Sequence, residues 1–157
     1  MGPSIVTKAA FTVVGMEYHG RNKNKEIPAL WESFLPRMNE IQHQANTEES
    51  FGVCIGDPDY KQTGVFQYVA GQQVTEEAAV PEGMIAATVP AATYAVFTHQ
   101  GTLETLGQTY DYIYGTWLPT SGRELADTPD FEFYDNRFDA TSPSSEMDIY
   151  IPLKVAP

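Results

Sequence analysis

Two kinds of hydrophobic spacing alternate along this chain. Ile5 to Met16 is rich in Val, Phe, Thr and Ala, has no helical spacing and is bounded by Gly15 and Gly20, which predicts a strand. The polar stretch from His19 to Glu26 then predicts a loop. Leu30, Phe34, Met38 and Ile41 recur at spacings of 4, 4 and 3 behind Pro28, predicting a helix from about Ala29 to Asn46. Pro36 inside it cannot donate to the carbonyl of Glu32, so a kink is expected there. Phe51 to Ile55 and Gly64 to Ala70 are β-rich runs joined by GDPDYKQT, a hairpin pattern.

The second half repeats the order. A Glu- and Ala-rich linker, Gln72 to Gly83, leads to Met84 to Val89 and Tyr94 to His99, two runs separated at Pro90. Leu103, Leu106, Tyr110, Ile113 and Trp117 follow at spacings of 3, 4, 3 and 4, an amphipathic helix ending near Leu118 and Pro119. Phe131 to Phe138 and Met147 to Leu153 are alternating runs and predict the last two strands. The expectation is one α+β domain over residues 1–157. Its strand-helix-strand-strand halves, about 4–75 and 84–155, are related by a pseudo-twofold around an antiparallel sheet.

Alternation also places chemistry. In PDFEFYD it sends Phe131 and Phe133 to one face and Glu132 and Tyr134 to the other. In SEMDIYIPLK it separates Met147, Ile149, Ile151 and Leu153 from Glu146, Asp148 and Tyr150. Each strand is expected to turn its apolar face to the helices and to keep carboxylates beside tyrosines on the opposite face. A lone Glu on a strand is more often a solvated sheet-face residue. Aromatic neighbours change that, because ring faces attract positive charge and an acid neutralises it, the arrangement that binds an organic cation.

Composition narrows the partners. The chain has 157 residues, 42% of them hydrophobic, and 21 acidic against 9 basic residues give a net charge of −12. Only Arg21, Lys23 and Lys25 cluster, so binding to a phosphate backbone would work against repulsion over the whole surface, and no nucleic-acid partner is expected. The start of the chain lacks a basic segment followed by a long apolar run, and nowhere do about 18 apolar residues follow one another, so neither export nor a membrane is expected. Cys54 is the one cysteine, which excludes an intramolecular disulfide and points to a cytoplasmic protein.

The sequence lacks GxSxG, Walker, dinucleotide GxGxxG and HExxH motifs. His19, His43 and His99 lie in three separate predicted elements, so no metal centre and no cofactor are expected. Asp57 and Asp59 begin like a calcium loop, but Pro58 and Lys61 and the missing glycine and glutamate further on reduce the segment to a turn. Cys54, mid-strand, reads as a buried structural thiol.

Read in order, IPALWESFLP, FGV, FQYVAG, VPAATYAVFTHQG, TYDYIYGTWLPTSG, PDFEFYDNRFD and SSEMDIYIPLK resemble the successive signatures of the GyrI-like small-molecule-binding family. The same domain is the effector-binding part of AraC-type and multidrug-sensing transcription regulators. The resemblance runs from about Phe11 to Leu153. It implies a ligand cleft between duplicated halves, aromatic walls, and a buried glutamate that meets lipophilic cations.

Carried onto this sequence, the glutamates are Glu132 and Glu146, and the aromatic counterparts are Tyr150 and Trp117. Tyr134, Tyr68 and Tyr94 are further candidates, and Trp31 is as readily a core residue. Three functions share these residues. The first is binding or sequestration of lipophilic cations, as in integron-cassette drug-binding proteins. The second is hydrolysis of cyclopropane-containing toxins, with Glu132 and Tyr150 as the catalytic pair. The third is a protein-interaction module such as a gyrase inhibitor. The expected partners are a small hydrophobic or cationic ligand and, beyond it, a transcription regulator or a second copy. Binding without catalysis, and without a DNA-reading segment of its own, is the favoured expectation.

Overall fold

Among the residues described by the computed structural model (3–21, 23, 25–56, 60–76, 79–139 and 141–154), eight strands form a single antiparallel sheet. They are β1 (Ser4–Lys8), β2 (Phe11–Gly20), β3 (Ser50–Gly56), β4 (Phe66–Val74), β5 (Ile85–Val89), β6 (Ala92–Gln100), β7 (Asp130–Tyr134) and β8 (Glu146–Leu153). Helix α1 (Glu26–Phe34) follows β2, and the single turn α2 (Tyr60–Thr63) lies between β3 and β4. A helical run follows β6, made of α3 (Leu106–Tyr112), a π-turn (Ile113–Trp117) and α4 (Leu118–Ser121). The fold is α+β, as the spacing of hydrophobic residues predicts.

The strand order β1-β6-β8-β7-β3-β4-β2-β5 reads the same from either edge if each strand is replaced by its counterpart four later or earlier. The two halves therefore meet where β3 pairs with β7. They also exchange their first strands, since β1 pairs with β6 and β5 pairs with β2. Ile5 to Met16 is accordingly not one strand. It breaks at Ala9 and Ala10, and the piece before the break completes the sheet of the other half.

Two further boundaries differ from expectation for local reasons. The first helix ends as α-helix at Phe34 and tightens into a 3-10 turn from Leu35 to Glu40, because Pro36 has no amide to carry the ladder onward. Strand β7 stops at Tyr134 rather than Phe138. There the Asp135 carboxylate accepts from the Arg137 amide at 3.0 Å and the Phe138 amide donates to the Asp135 carbonyl at 3.0 Å, which turns the chain. The calcium-like residues 57–59 lie outside the described residues. Among the described residues no helix is long and apolar enough to cross a membrane.

The sheet is apolar on both faces. Between the sheet and α1 lies a cluster including Val14, Phe34, Tyr68 and Ala70, and between the sheet and the helical run of α3 a second including Phe97, Ile113, Met147 and Ile149. The other face holds a third core, built from Phe11, Val13, Phe51, Val53, Val69, Tyr94 and Phe131. Only strand residues line that third core, so the sheet must curl to cover it. Gly15 and Gly71 face each other across β2 and β4 on its inner side, and a Cβ on either would collide with backbone of the opposite strand.

Gly15→Ala should therefore cost about 2 kcal/mol or more of stability by urea denaturation, on the scale of an overpacked core. Wild-type stability in that variant would mean that the curl tolerates a side chain there.

Candidate functional site

Strand β7 runs along the seam between the two helix-side cores, and Glu132 is at its middle. The β3–β7 ladder has Gly52 opposite Glu132, flanked by the pairs Ser50–Tyr134 and Cys54–Asp130. Glycine matters at this position. A Cβ at residue 52 would collide with the Tyr68 hydroxyl and lie 3.0 Å from Glu132 Oε1. Its absence lets Tyr68 reach from β4 across β3 to the carboxylate.

Glu132 is 7% exposed, and three phenols from three elements donate to it. Tyr68 of β4 and Tyr134 of β7 donate to Oε1 at 2.9 and 2.8 Å, and Tyr110 of α3 donates to Oε2 at 2.7 Å. Trp31 of α1 donates its indole N–H to the Tyr68 hydroxyl at 3.0 Å and meets the Tyr134 ring edge-on at 5.4 Å. Tyr114 stacks parallel to Tyr110 with centroids 6.3 Å apart. Both halves and both helices thus converge on one carboxylate, with aromatic rings as its walls. Among the described residues no Lys, Arg or His forms an ion pair with it.

The surroundings fix the protonation of the phenols. Burial, and after it the neighbouring Glu132, holds Tyr68, Tyr110 and Tyr134 well above the ordinary tyrosine pKa. All three remain hydroxyl donors at neutral pH. Burial likewise pushes the Cys54 thiol up, with Asp130 and Glu132 adding to it, which leaves that cysteine unreactive.

Of the sequence-predicted residues, the structure brings together Glu132, Tyr134 and Tyr68. Trp117 is on the helix side but packs edge-on against Phe97 of β6, centroids 5.1 Å apart. Glu146, Tyr150 and Tyr94 stand on the opposite side of the sheet. The reason is register. Glu132 pairs with Ile149 and Phe131 with Tyr150, so the acidic face of β8 is continuous with the apolar face of β7. Tyr150 stacks on Phe131 at 4.4 Å, and Tyr94 meets both rings within the back core. Glu146 approaches Arg137 at 3.7 Å, with 38% of its side chain exposed. The assignment of β7's apolar face to the helices is thereby corrected, since its phenylalanines point away from them.

Sequence reasoning missed Tyr110 and Gly52. Tyr110 sits in the apolar helical spacing and reads as core, and the only hint of its role is the hydroxyl. Trp31 is both things at once, packed on Phe34 at 5.9 Å and bonded to Tyr68. His99 is 2% exposed and satisfied by Thr109 at 2.6 Å and the Thr102 carbonyl at 3.0 Å. Among the described residues no group of three His, Cys, Asp or Glu side chains is placed to hold a metal.

A buried glutamate with aromatic walls between duplicated halves is what the sequence resemblance implies, and comparison with known proteins shows the family. The GyrI-like small molecule binding domain matches residues 1–154. The chain belongs to the GyrI-like family. It is 44% identical over 154 residues to the transcriptional regulator BrlR of Pseudomonas aeruginosa, a match covering 98% of this chain and 56% of BrlR. The chain thus spans little more than half the length of that relative. Its fold is shared by SAV2435, solved bound to tetraphenylphosphonium, with TM-score 0.79, 21% identity and coverage of 98% and 94%. The Vibrio cholerae integron cassette protein VCH_CASS2 also shares it, with TM-score 0.67, 18% identity and coverage of 98% and 97%.

In this GyrI-like chain the phenols make a pH prediction. Their folded pKa values lie above the unfolded value near 10, so the stability they contribute is complete below that pH and is lost as pH rises through and beyond it. Denaturation between pH 8 and 11.5 should show stability falling steeply above about pH 10. Ultraviolet titration should find that Tyr68, Tyr110 and Tyr134 ionise only as the protein unfolds. Nine tyrosines ionising together near pH 10 in the folded state would contradict the hydrogen-bonded ring.

Proposed function

We propose that this chain binds lipophilic organic cations between α1 and α3, with Glu132 as the counter-charge, and that occupancy serves sensing or sequestration in the cytoplasm. One observation carries the reading. Glu132 is buried and accepts from three hydroxyl donors, yet no basic side chain among the described residues forms an ion pair with it. A carboxylate kept out of water beside Trp31, Tyr68, Tyr110 and Tyr134 is a strong attractor for a cation that can also stack on rings. The tetraphenylphosphonium held by SAV2435 is a ligand of that kind. The name of BrlR, a transcriptional regulator, supports a link from binding to transcription.

The same geometry favours binding over hydrolysis. A hydrolytic carboxylate must hold a water within hydrogen-bond reach of the reacting carbon, and the partners that Glu132 holds are three phenol hydroxyls. Tyr150, the other candidate for catalysis, lies across the sheet.

Tetraphenylphosphonium should bind and change the fluorescence of Trp31, whereas a neutral molecule of the same shape should bind much more weakly. Glu132→Gln should weaken the cation by about 1–3 kcal/mol, the worth of a charged partner in a buried site. Glu146→Gln should leave it unchanged, since Glu146 faces Arg137 and solvent. Equal affinity for cation and neutral isostere would reduce the site to an apolar cleft.

A further inference from the structure

Two residues before Glu132, on the same face of β7, stands an acid that the binding described above does not use. Asp130 pairs with Cys54 across the β3–β7 ladder as Glu132 pairs with Gly52. Successive same-face residues on a strand are roughly 7 Å apart, so the two carboxyl groups line the seam in tandem. Asp130 is half-buried and forms no ion pair among the described residues.

The titratable groups within electrostatic reach of Asp130 are Glu132 on its own strand, Cys54 of β3, Tyr110 of α3 and, from the opposite side of the sheet, Tyr94 of β6. None of them can carry positive charge, and burial keeps the thiol and both phenols protonated. Burial also pushes the Asp130 carboxyl up to about 7, its own backbone amide draws it back, and Glu132 adds a smaller upward push. Thr128, two residues before Asp130 along the chain, has a buried hydroxyl oxygen without a hydrogen-bond partner.

We propose that Asp130 is the second carboxyl of the cation site and gives up its proton when a cation is held at Glu132. The inference rests on the reading of Glu132 as the counter-charge and extends it to ligand choice. A positive charge in the seam favours the ionised carboxyl of Asp130, whose proton passes from Oδ to bulk buffer, and the site gains one negative charge. A ligand with two positive centres roughly 7 Å apart then meets both acids, which selects dications over monocations of equal lipophilicity. The sign follows from the direction of the shift. The free carboxyl titrates near 7 and the cation lowers that value, so affinity rises with pH up to about 7 and levels off above it.

The test is calorimetric titration of tetraphenylphosphonium into the full chain at pH 6.5 and 8.5, each in two buffers of different ionisation enthalpy. At pH 6.5 about half a proton or more should be released per ligand, and at pH 8.5 almost none. Asp130→Asn should still bind while releasing no proton, with affinity flat from pH 6 to 8. The wild-type buffer comparison decides the question even if that variant folds poorly. Binding without proton release at pH 6.5 overturns the role of Asp130 and leaves that of Glu132 standing. Release that persists in Asp130→Asn overturns it as well, by placing the proton on another group. No binding of the cation to wild type removes both readings.

Discussion

A carboxylate buried without partners costs several kcal/mol, and a fold can hold one only by bringing donors to it. Glu132 sets that requirement for this chain. Three phenol hydroxyls meet it from β4, β7 and α3, and Trp31 of α1 fixes the orientation of one of them. A charge-assisted hydrogen bond contributes on the order of 1.5–3 kcal/mol, so three together can offset the burial. Every element in the list must be in place at once. The site is therefore also a tie between halves, joining β4 and α1 of the first to β7 and α3 of the second.

The duplicated frame makes this possible and is broken where it matters. The β3–β7 ladder has five pairs, and its central pair, nearest the pseudo-twofold, is Gly52–Glu132. A symmetric pair of glutamates would place two charges side by side in the seam, and a pair of glycines would leave no charge. Glycine on one strand and glutamate on the other give a single carboxylate with room for Tyr68 beside it. Exchange of β1 and β5 between halves supports the same centre, because neither half completes its sheet without the other.

Strand and helix spacing, the Pro36 break and the repeated order were legible in the sequence because each is a local property. Alternation also sorted the residues of β7 and of β8 into two faces correctly. It could not say which face of β7 adjoins which face of β8, because the sheet buries apolar residues on both sides and either face of either strand could serve either core. That choice is made by the pairs Glu132–Ile149 and Phe131–Tyr150, which join residues far apart along the chain. Tyr110 was illegible for a related reason. Its ring obeys the helical spacing of a core residue, and its hydroxyl acquires a role only when β7 is placed beneath α3.

The burial of Glu132 bears on selectivity. With Glu132 7% exposed and Tyr68 2% exposed, a ligand that reaches the carboxylate competes for it with the phenol donors. A neutral aromatic molecule that does so leaves Glu132 buried with fewer hydrogen bonds and gains only ring contact. A cation replaces the lost donors with its own charge in a region where water is excluded and electrostatic attraction is strong. The phenol donors around Glu132 thus raise the threshold for neutral ligands more than for charged ones. The net charge of −12 works in the same direction at long range by drawing cations toward the surface.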